Sequence, residues 1–441
     1  MADEIIVVRG NGVLEGEVRV SGAKNSALKL MAASVLANGE CVIRNVPKIS
    51  DIQVMVSVLE RLGARVLRDG SPERDEHTLT IDTSTVDSYM TPYELVSKMR
   101  ASISILGPLI GRFGKAHVAM PGGCQIGARK IDMHLRGLQS LGVEFEMDHG
   151  YLLATTPNGL RGAHIMLDFP SVGATENTLM ASVVAEGETI IENVAREPEI
   201  ADLARMLNSM GAKIEGAGSP TIRIEGVPVE AMHACEHETV GDRIEAGTFL
   251  VGGALSGGPL TVRGIDPSYL HMALLKLEEM GCTVVRGENS ITVERSGGLK
   301  AVDIQTLPYP GFPTDLQAQF MLLASLADGT SVITENVFEN RFMFAAELAR
   351  MGADIVLEDH HALVRGACVL QGAPVSSTDL RAGAALVLAG IVADGETHVH
   401  KIEHIDRGYE DYVGKLRMLG ADIARCQEER LPSEAPRALS E

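Results

Sequence analysis

The chain has 441 residues, which is enough for two domains of ordinary size. Its formal net charge of −20 argues against nucleic acid or an anionic membrane as a partner, so we expect neither. The start, MADEIIVVRG, lacks the segments of a signal peptide, and the longest apolar run is too short to span a bilayer, so we expect a cytoplasmic protein.

The six cysteines are scattered along the chain and form no CxxC pair. This distribution is typical of reduced thiols rather than of a disulfide framework. The stretch HACEHE, with His233, Cys235 and His237, resembles a metal site, but no second cluster has ligand spacing. The glycines of RGNGVLEG miss the spacing of a dinucleotide fingerprint. We therefore expect neither a metal nor a cofactor.

The predicted elements follow a block that recurs six times from the N-terminus to the C-terminus. A Leu-Gly or Met-Gly step returns at intervals of 68 to 79 residues, at Gly63, Gly142, Gly211, Gly281, Gly352 and Gly420. Upstream of each step a glycine opens a β-branched run, as GECVIRNV does in the first block. An internal repeat of this length predicts six copies of one supersecondary unit.

Each block predicts a helix, a strand, a second helix and further strands. The first helix is rich in Ala, Leu and Met, as in NSALKLMAASVLAN, and is expected to be buried on all sides. AGAALVLAGIVA (382–393) is another such helix. The second helix, as in SDIQVMVSVLERLGARV, has apolar residues at helical spacing and is expected to face water on one side. The glycine after Leu62 is expected at its C-terminal cap.

SGAKNSA, residues 21–27, places Lys24 and Asn25 between a strand and the first helix, with Ser21 as a predicted N-cap. A lysine at a helix start is either a phosphate site or an ordinary solvated lysine. Several arginines occupy repeat-equivalent turns or helix starts: Arg100, Arg129, Arg341, Arg381 and Arg407. Surface ion pairs would explain each one singly, but in so acidic a chain the group favours an anion-binding cleft.

The second block is about four residues longer than the others, and the surplus lies around PGGCQIGAR, residues 121–129. An insertion at a repeat's turn is typical of a functional loop. The three glycines cannot build an apolar pocket around Cys124, so a reactive or proton-donating thiol is favoured over a structural one. The segment is not a P-loop, because Ala128 stands where the lysine belongs.

Three aspartates precede apolar helices at equivalent turns: Asp242 in GDRIEAG, Asp315 in FPTD and Asp379 in STDLR. An N-capping role is the simplest interpretation of all three and is expected for at least two of them.

A set of motifs together resembles the UDP-N-acetylglucosamine 1-carboxyvinyltransferases, a branch of the enolpyruvyl transferase family, over about residues 5 to 425. The motifs are SGAKN, MRAS, PGGCQIGAR, SVGAT, REPEI, DRIE, FPTD, ENRF, TDLR and HIDRGYE. The resemblance implies an α/β fold, a two-lobed inside-out barrel of six βα units with the active site between the lobes. The first lobe would span 23–240 and the second 1–22 plus 241–426, with a disordered tail at 427–441.

The implied reaction transfers the enolpyruvyl group of phosphoenolpyruvate to the 3-hydroxyl of UDP-N-acetylglucosamine and releases phosphate. It is the first committed step of peptidoglycan synthesis and needs no protein partner. An alternative of another class is a catalytically silent paralogue that binds UDP-sugars.

The resemblance also implies residue roles. Cys124 would protonate the methylene carbon of phosphoenolpyruvate and be the thiol that fosfomycin alkylates, and Asp315 would be the base near the sugar hydroxyl. Lys24, Arg129 and Arg407 would hold phosphoenolpyruvate. The remaining substrate-binding positions are Asn25, Arg100, Lys130, Ile131, Asp132, Met133, Ser171, Val172, Gly173, Val337, Asp379 and Arg381. Phe169 stands where some members carry a lysine, so no diphosphate contact is expected from that side chain.

Overall fold

The computed structural model describes residues 4–69, 77–91, 93–96, 100–119 and 131–428. Within these ranges the strands form six mixed sheets of four strands each. Every sheet has one parallel strand pair and two antiparallel pairs, so the sequence repeat is also a structural repeat.

The first three blocks follow two N-terminal strands, β1 (Glu4–Arg9) and β2 (Gly16–Arg19). Block one contains α1 (Lys24–Ala33), β3 (Glu40–Arg44), α2 (Ser50–Arg61), β4 (Arg65–Asp69), β5 (Thr78–Asp82) and β6 (Met90–Thr91). Block two contains α3 (Tyr93–Val96), α4 (Leu106–Phe113), β7 (Lys115–Ala119), α5 (Asp132–Ser140), β8 (Glu144–Asp148), β9 (Tyr151–Thr155) and β10 (His164–Met166). Block three contains α6 (Val172–Ser182), β11 (Glu188–Glu192), α7 (Pro198–Ser209), β12 (Lys213–Glu215), β13 (Thr221–Glu225) and β14 (Glu236–Glu238).

The last three blocks repeat the pattern. Block four contains α8 (Arg243–Ser256), β15 (Leu260–Arg263), α9 (His271–Glu279), β16 (Thr283–Arg286), β17 (Ser290–Glu294) and β18 (Ile304–Gln305). Block five contains α10 (Gln317–Leu326), β19 (Thr330–Thr334), α11 (Ala345–Arg350), β20 (Asp354–Glu358), β21 (His361–Arg365) and β22 (Pro374–Ser376). Block six contains α12 (Leu380–Val392), β23 (Glu396–His400), α13 (Glu403–Asp406), α14 (Tyr412–Met418) and β24 (Asp422–Gln427). Short 3-10 helices lie at Ser34–Leu36, Arg100–Ile105, Val229–Ala231, Pro267–Leu270 and Thr314–Leu316.

Two groups of three sheets are closed by strands distant in sequence. Strand β14, at the end of block three, pairs in parallel with β3 of block one. In the second group the N-terminal strands complete the closure: β1 lies between β23 and β24, and β2 pairs in parallel with β15. Strand β24 includes Gln427, one residue into the predicted tail, and residues 429–441 lie outside the described part of the chain.

Each group of sheets has its own hydrophobic core. The first core runs from Ala27 to Met232. The second core combines residues from Ile6 to Val20 with residues from Ile244 to Ile423. The chain passes between them twice, side by side, since the Ala23 N–H donates to the Val240 carbonyl at 2.7 Å. This division supports the predicted lobes, 23–240 and the remainder, whose boundaries stay a prediction.

The helix rich in Ala, Leu and Met lies inside, as its composition predicts, and in block two this helix is α4, because the short α3 before it is largely exposed. Nine of the ten residues of α1 are buried, and so are 13 of the 14 residues of α8. The second helices, such as α2, bury one face only. All six Leu-Gly or Met-Gly glycines have φ between +95° and +105°, the conformation that ends a helix without strain only at glycine.

The predicted N-cap Ser21 is wrong. Helix α1 begins at Lys24 after Ala23, and no side chain caps it. Ser21 instead belongs to the crossing between the cores, where its hydroxyl accepts a hydrogen bond from Lys415 Nζ at 2.8 Å. Its backbone N–H donates to Glu245 at 2.9 Å, so the second core holds the residue.

Five cysteines fall within the described residues, and all five are free thiols, as predicted. Across the same residues, no helix combines the length and the apolarity that crossing a membrane requires.

Candidate active site

A single carboxylate joins cations from both cores. Lys24 opens α1, so its side chain is buried where the chain enters the first core. Its Nζ lies 2.7 Å from Oδ2 of Asp51, the second residue of α2. Arg407, which directly follows α13 in the second core, places Nε 2.9 Å from Oδ1 of the same carboxylate. Asp51 therefore bridges the two predicted anion-binding cations.

Burial and charge act against each other in this cluster. Burial lowers the pKa of Lys24, Asp51 opposes that effect, and the nearby guanidinium groups of Arg381 and Arg407 add to it. Burial alone would raise the pKa of Asp51, but Lys24 and Arg407 outweigh it and bring the pKa below its usual range. Lys24 is thus a buried cation whose charge depends on one carboxylate and is opposed by two arginines.

Asp315 lies in a second ionic cluster and is not a cap. No side-chain hydrogen bond caps the 3-10 helix Thr314–Leu316 that contains it. Its carboxylate instead lies 2.8 Å from Arg341 Nη2 and 3.3 Å from Arg381 Nη2. Both arginine side chains are almost fully buried, whereas 26% of the Asp315 side chain is exposed. The two buried arginines therefore position the Asp315 carboxylate, which remains partly accessible to solvent.

The other two aspartates confirm the capping interpretation. Asp242 accepts hydrogen bonds from the backbone N–H groups of Ile244 and Glu245 at the start of α8. Asp379 accepts from Arg381 and Ala382 at the start of α12, with 2.8 Å to the Arg381 nitrogen. By fixing that turn, Asp379 sets where the Arg381 side chain leaves the helix.

Arg381 is buried yet firmly charged. Burial lowers its pKa, but the Tyr409 hydroxyl and the carboxylates of Asp315 and Asp242 raise it overall. Its guanidinium carbon lies 5.2 Å from the centre of the Tyr409 ring, a cation–π distance. This side chain is therefore a permanent positive charge beside Asp315.

A further ion pair spans the two cores. Arg243, the first residue of α8, places Nε 3.0 Å from Oε1 of Glu199 in α7, and both side chains are buried. Asp315 helps to raise the pKa of Arg243, so this pair lies within electrostatic range of the Asp315 cluster. The boundary between the cores thus concentrates buried cations in a chain of net charge −20, as the cleft hypothesis predicts.

The predicted sugar-nucleotide residues divide between two adjacent helix starts. Ile131 is the N-cap of α5, and Asp132 and Met133 form its first turn. Ser171 caps α6, its hydroxyl accepting from the Ala174 N–H at 3.4 Å, and Val172 and Gly173 follow. A Cβ on Gly173 would lie 2.8 Å from the ring of His134 in α5. Glycine at this position therefore lets the two helix starts meet.

His134 and Arg136 were not singled out from the sequence. His134 Nδ1 lies 2.9 Å from Asn177 Nδ2, which fixes the ring between the helices. Arg136 pairs with Asp132 at 2.6 Å and also with Asp168, the residue before Phe169. Phe169 itself is 39% exposed and carries no charge to the site.

Val337 is tied to the Asp315 turn through a buried glutamate. Its N–H donates to Glu335 Oε1 at 2.8 Å, and the other oxygen of Glu335 accepts from Thr314 Oγ1 at 2.9 Å. The Val337 N–H is thus engaged within the protein. Asn25 is half-buried, and its carbonyl oxygen accepts from Lys29 Nζ at 3.1 Å.

Some predicted residues fall beyond what the structure describes. Cys124, Arg129 and Lys130 lie outside the described residues, and Arg100 begins the 3-10 helix Arg100–Ile105. Asp51 was missed, because an aspartate in the first turn of an amphipathic helix is an ordinary feature. Asp51 is recognised as part of the site only from its contact with Arg407, which lies 356 positions away in the sequence.

Comparison with known proteins identifies the family of the chain. Residues 8–416 match the family model described as EPSP synthase (3-phosphoshikimate 1-carboxyvinyltransferase). The UDP-N-acetylglucosamine 1-carboxyvinyltransferase 2 of Staphylococcus saprophyticus is 50% identical over 425 residues, which is 96% of this chain and 100% of that protein. The UDP-N-acetylglucosamine 1-carboxyvinyltransferase of Mycobacterium bovis is 52% identical over 425 residues, 96% of this chain and 99% of that protein.

Solved structures confirm the expected two-lobed inside-out α/β barrel. The enolpyruvyl transferase NikO from Streptomyces tendae is 28% identical, with a TM-score of 0.87 over 97% of this chain and 100% of that chain. An EPSP synthase from Acinetobacter baumannii, 18% identical, has a TM-score of 0.73 over 96% of this chain and 100% of that chain, a likeness of fold alone. The chain therefore belongs to the UDP-N-acetylglucosamine 1-carboxyvinyltransferases, within the enolpyruvyl transferase family.

Proposed function

We propose that the chain transfers the enolpyruvyl group of phosphoenolpyruvate to the 3-hydroxyl of UDP-N-acetylglucosamine and releases phosphate. This is the reaction in the name that its relatives share, and it makes the chain a transferase of peptidoglycan synthesis. The observation that carries the residue assignments is the cation cluster between the cores, where Lys24 and Arg407 share the carboxylate of Asp51.

Lys24 and Arg407 bind phosphoenolpyruvate in this proposal. The substrate carries a phosphate and a carboxylate, and the buried Lys24 and the half-buried Arg407 attract such groups more strongly than fully solvated cations do. Because one cation belongs to each core, the anion would be gripped from both sides. Asp51 positions the two cations and limits their mutual repulsion until the substrate arrives.

Asp315 is the base in this proposal. Attack by the sugar oxygen needs a group that takes the hydroxyl proton, and a partly exposed carboxylate held by Arg341 and Arg381 meets that need. Protonation of the substrate's methylene carbon makes its central carbon cationic and open to attack. Reversal of that proton transfer expels phosphate. The proton donor proposed for this carbon is Cys124, which rests on the family resemblance.

The sugar nucleotide is proposed to lie against the starts of α5 and α6. Helix N-termini present unpaired N–H groups and a partial positive charge, which suit a diphosphate. Ser171 to Gly173 supply one such start and Ile131 to Met133 the other. This arrangement needs no lysine at the position of Phe169. A cytoplasmic location stays a proposal, which the free thiols support.

The direct test is to incubate the purified protein with both substrates and to follow phosphate release and the mass of the sugar nucleotide. We expect one enolpyruvyl group to be gained per phosphate released. Lys24→Met should abolish turnover, whereas Lys213→Met removes an exposed lysine paired with Glu225 and should leave turnover unchanged. Binding of UDP-N-acetylglucosamine without any product would instead identify a silent paralogue.

A further inference from the structure

Two cysteines lie side by side where the sheets of the first core close. Strand β14 pairs in parallel with β3, with Glu236 opposite Val42 and His237 opposite Ile43. The Val42 N–H donates to the Cys235 carbonyl at 2.9 Å, which extends the same register one step further back. Cys41 and Cys235 are therefore opposite neighbours on adjacent strands, although 194 positions separate them in sequence.

The side chains of the two cysteines share a face of the sheet. Adjacent strands in a sheet lie about 4.8 Å apart, within the Cα separation of about 4.4 to 6.8 Å that disulfides require. The Cys235 thiol donates to the Met206 carbonyl at 4.0 Å, and its interaction with Cys41 lowers the pKa of Cys41. Cys41 is fully buried, whereas Cys235 is partly exposed and therefore open to a small oxidant.

We propose that Cys41 and Cys235 form a reversible disulfide that covalently closes the first core. A two-electron oxidant such as hydrogen peroxide would accept the electrons. Both S–H bonds break and one S–S bond forms, while two protons and two electrons reduce one peroxide to two waters. Two molecules of reduced glutathione, or one molecule of dithiothreitol, return both thiols and are themselves oxidised to a disulfide.

The disulfide would restrain the C-terminal end of the first core. Strand β14 is the last strand of the first core, and Thr239, next after it, donates its N–H to Arg44 at the end of β3. The neighbouring His237 binds the buried carboxylate of Asp202 at 2.9 Å, which also accepts from Ser26 in α1. The bond would therefore fasten the segment that leads directly to the crossing into the second core.

The test is peptide mapping of the intact protein after brief exposure to hydrogen peroxide, with free thiols then alkylated by N-ethylmaleimide in denaturant. We expect one cross-linked peptide pair that contains Cys41 and Cys235 and disappears on reduction. Cys282 and Cys368 should remain fully alkylated. Thermal melting gives a second measurement: the oxidised protein should melt several degrees above the reduced protein, because a long loop is closed.

The Cys235→Ser variant should lose both the cross-link and the oxidative shift in melting temperature. Cys368→Ser is the matched control, because it removes a partly exposed thiol elsewhere and should keep both. If Cys235→Ser folds poorly, Cys41→Ala supplies the same comparison. Full alkylation of both cysteines after oxidation, or pairing of Cys235 with any other cysteine, would overturn the proposal.

Discussion

The charge of Lys24 depends on its immediate neighbours. Its ammonium group is buried, which disfavours the charged form, and Asp51 is the neighbour that favours it. A substrate-binding lysine must be protonated, so activity is lost as the pH rises through its pKa. In the role proposed for Lys24, Asp51 would therefore extend the pH range over which this lysine can bind an anion.

Asp51→Asn should shift the alkaline limb of the kcat/KM profile to lower pH. The substitution removes the influence that raises the pKa of Lys24 and leaves burial, Arg381 and Arg407 to lower it. Loss of one partner from a buried ion pair also costs about 3–5 kcal/mol of stability. The pH profile and a urea melt measure the two effects separately.

The control for that experiment is Asp82→Asn, which alters an aspartate of the same core that receives a hydrogen bond from the Ser84 N–H at 2.9 Å. Its alkaline limb should coincide with that of the wild type. An unchanged limb in a folded Asp51→Asn variant would show that Asp51 does not govern the charge of Lys24.

Substitutions of Asp315 and Asp266 distinguish a catalytic role of an aspartate from a helix-capping role. Asp315→Asn should lower kcat by about 10²- to 10⁴-fold, because a positioned base contributes about that much. Asp266 caps the 3-10 helix Pro267–Leu270 through the Ser268 N–H, and its replacement by alanine should cost about 0.5–2 kcal/mol while turnover persists. Kinetics and thermal melting of both variants form the comparison. Normal turnover in Asp315→Asn would remove the residue from the mechanism.

The sequence predicts individual site residues unevenly. Lys24 and Arg381 stand in short motifs at helix starts, where a charged residue can be recognised from the sequence alone. Asp51 and Glu335 look like ordinary acidic residues of a helix and a loop. Their importance comes from partners in distant segments, and no periodicity encodes such a pairing.

At the scale of elements, local rules predict the blocks but not their closure. The left-handed glycines and the apolar helices are dictated by neighbours within a few residues, so the local sequence predicts them. The pairing of β14 with β3, and of β1 with β23 and β24, joins segments hundreds of residues apart. Alternating polarity shows that a segment is a strand and leaves its partner unspecified.

Helices α1 and α6 enclose the carboxylate of Glu176, whose raised pKa makes the stability of the fold depend on pH. Glu176 is fully buried, Lys29 Nζ lies 3.3 Å from its Oε2, and burial raises its pKa to about 7. Between the pH at which it ionises in the unfolded chain, about 4.3, and pH 7, the unfolded state binds fewer protons than the folded state. Folding stability therefore falls as the pH rises through that window.

Glu176→Gln should remove this pH dependence. Glutamine resembles the protonated acid, so the variant and the wild type should be similar in stability at about pH 4 and below. Above pH 7 the variant should be more stable, by up to about 4 kcal/mol if each pKa unit contributes about 1.4 kcal/mol. Urea unfolding at several pH values measures this difference. Glu188→Gln, which alters an exposed glutamate paired with Arg223, should leave the pH dependence intact. A difference that is constant with pH would contradict the assignment.

At the scale of the whole molecule, the hydrophobic residues form two cores that share no residue. The chain crosses twice, and among the described residues three ionic contacts also join the cores: Lys24–Asp51–Arg407, Arg243–Glu199 and His77–Glu410. Lys24 and Arg407, which are proposed to bind substrate, therefore also help to hold the two halves of the protein together through Asp51.

Arg243→Met should weaken this coupling and separate the unfolding of the two cores. The substitution leaves Glu199 without its buried partner beside Glu197, whose pKa burial already raises, so the boundary would carry uncompensated carboxylates. Calorimetry should then resolve two transitions or a broadened one, where the wild type gives a narrower transition. Arg286→Met is the matched control, because it breaks an Arg–Glu pair with Glu278 entirely within the second core. An unchanged, single transition in Arg243→Met would show that the two chain crossings alone couple the cores.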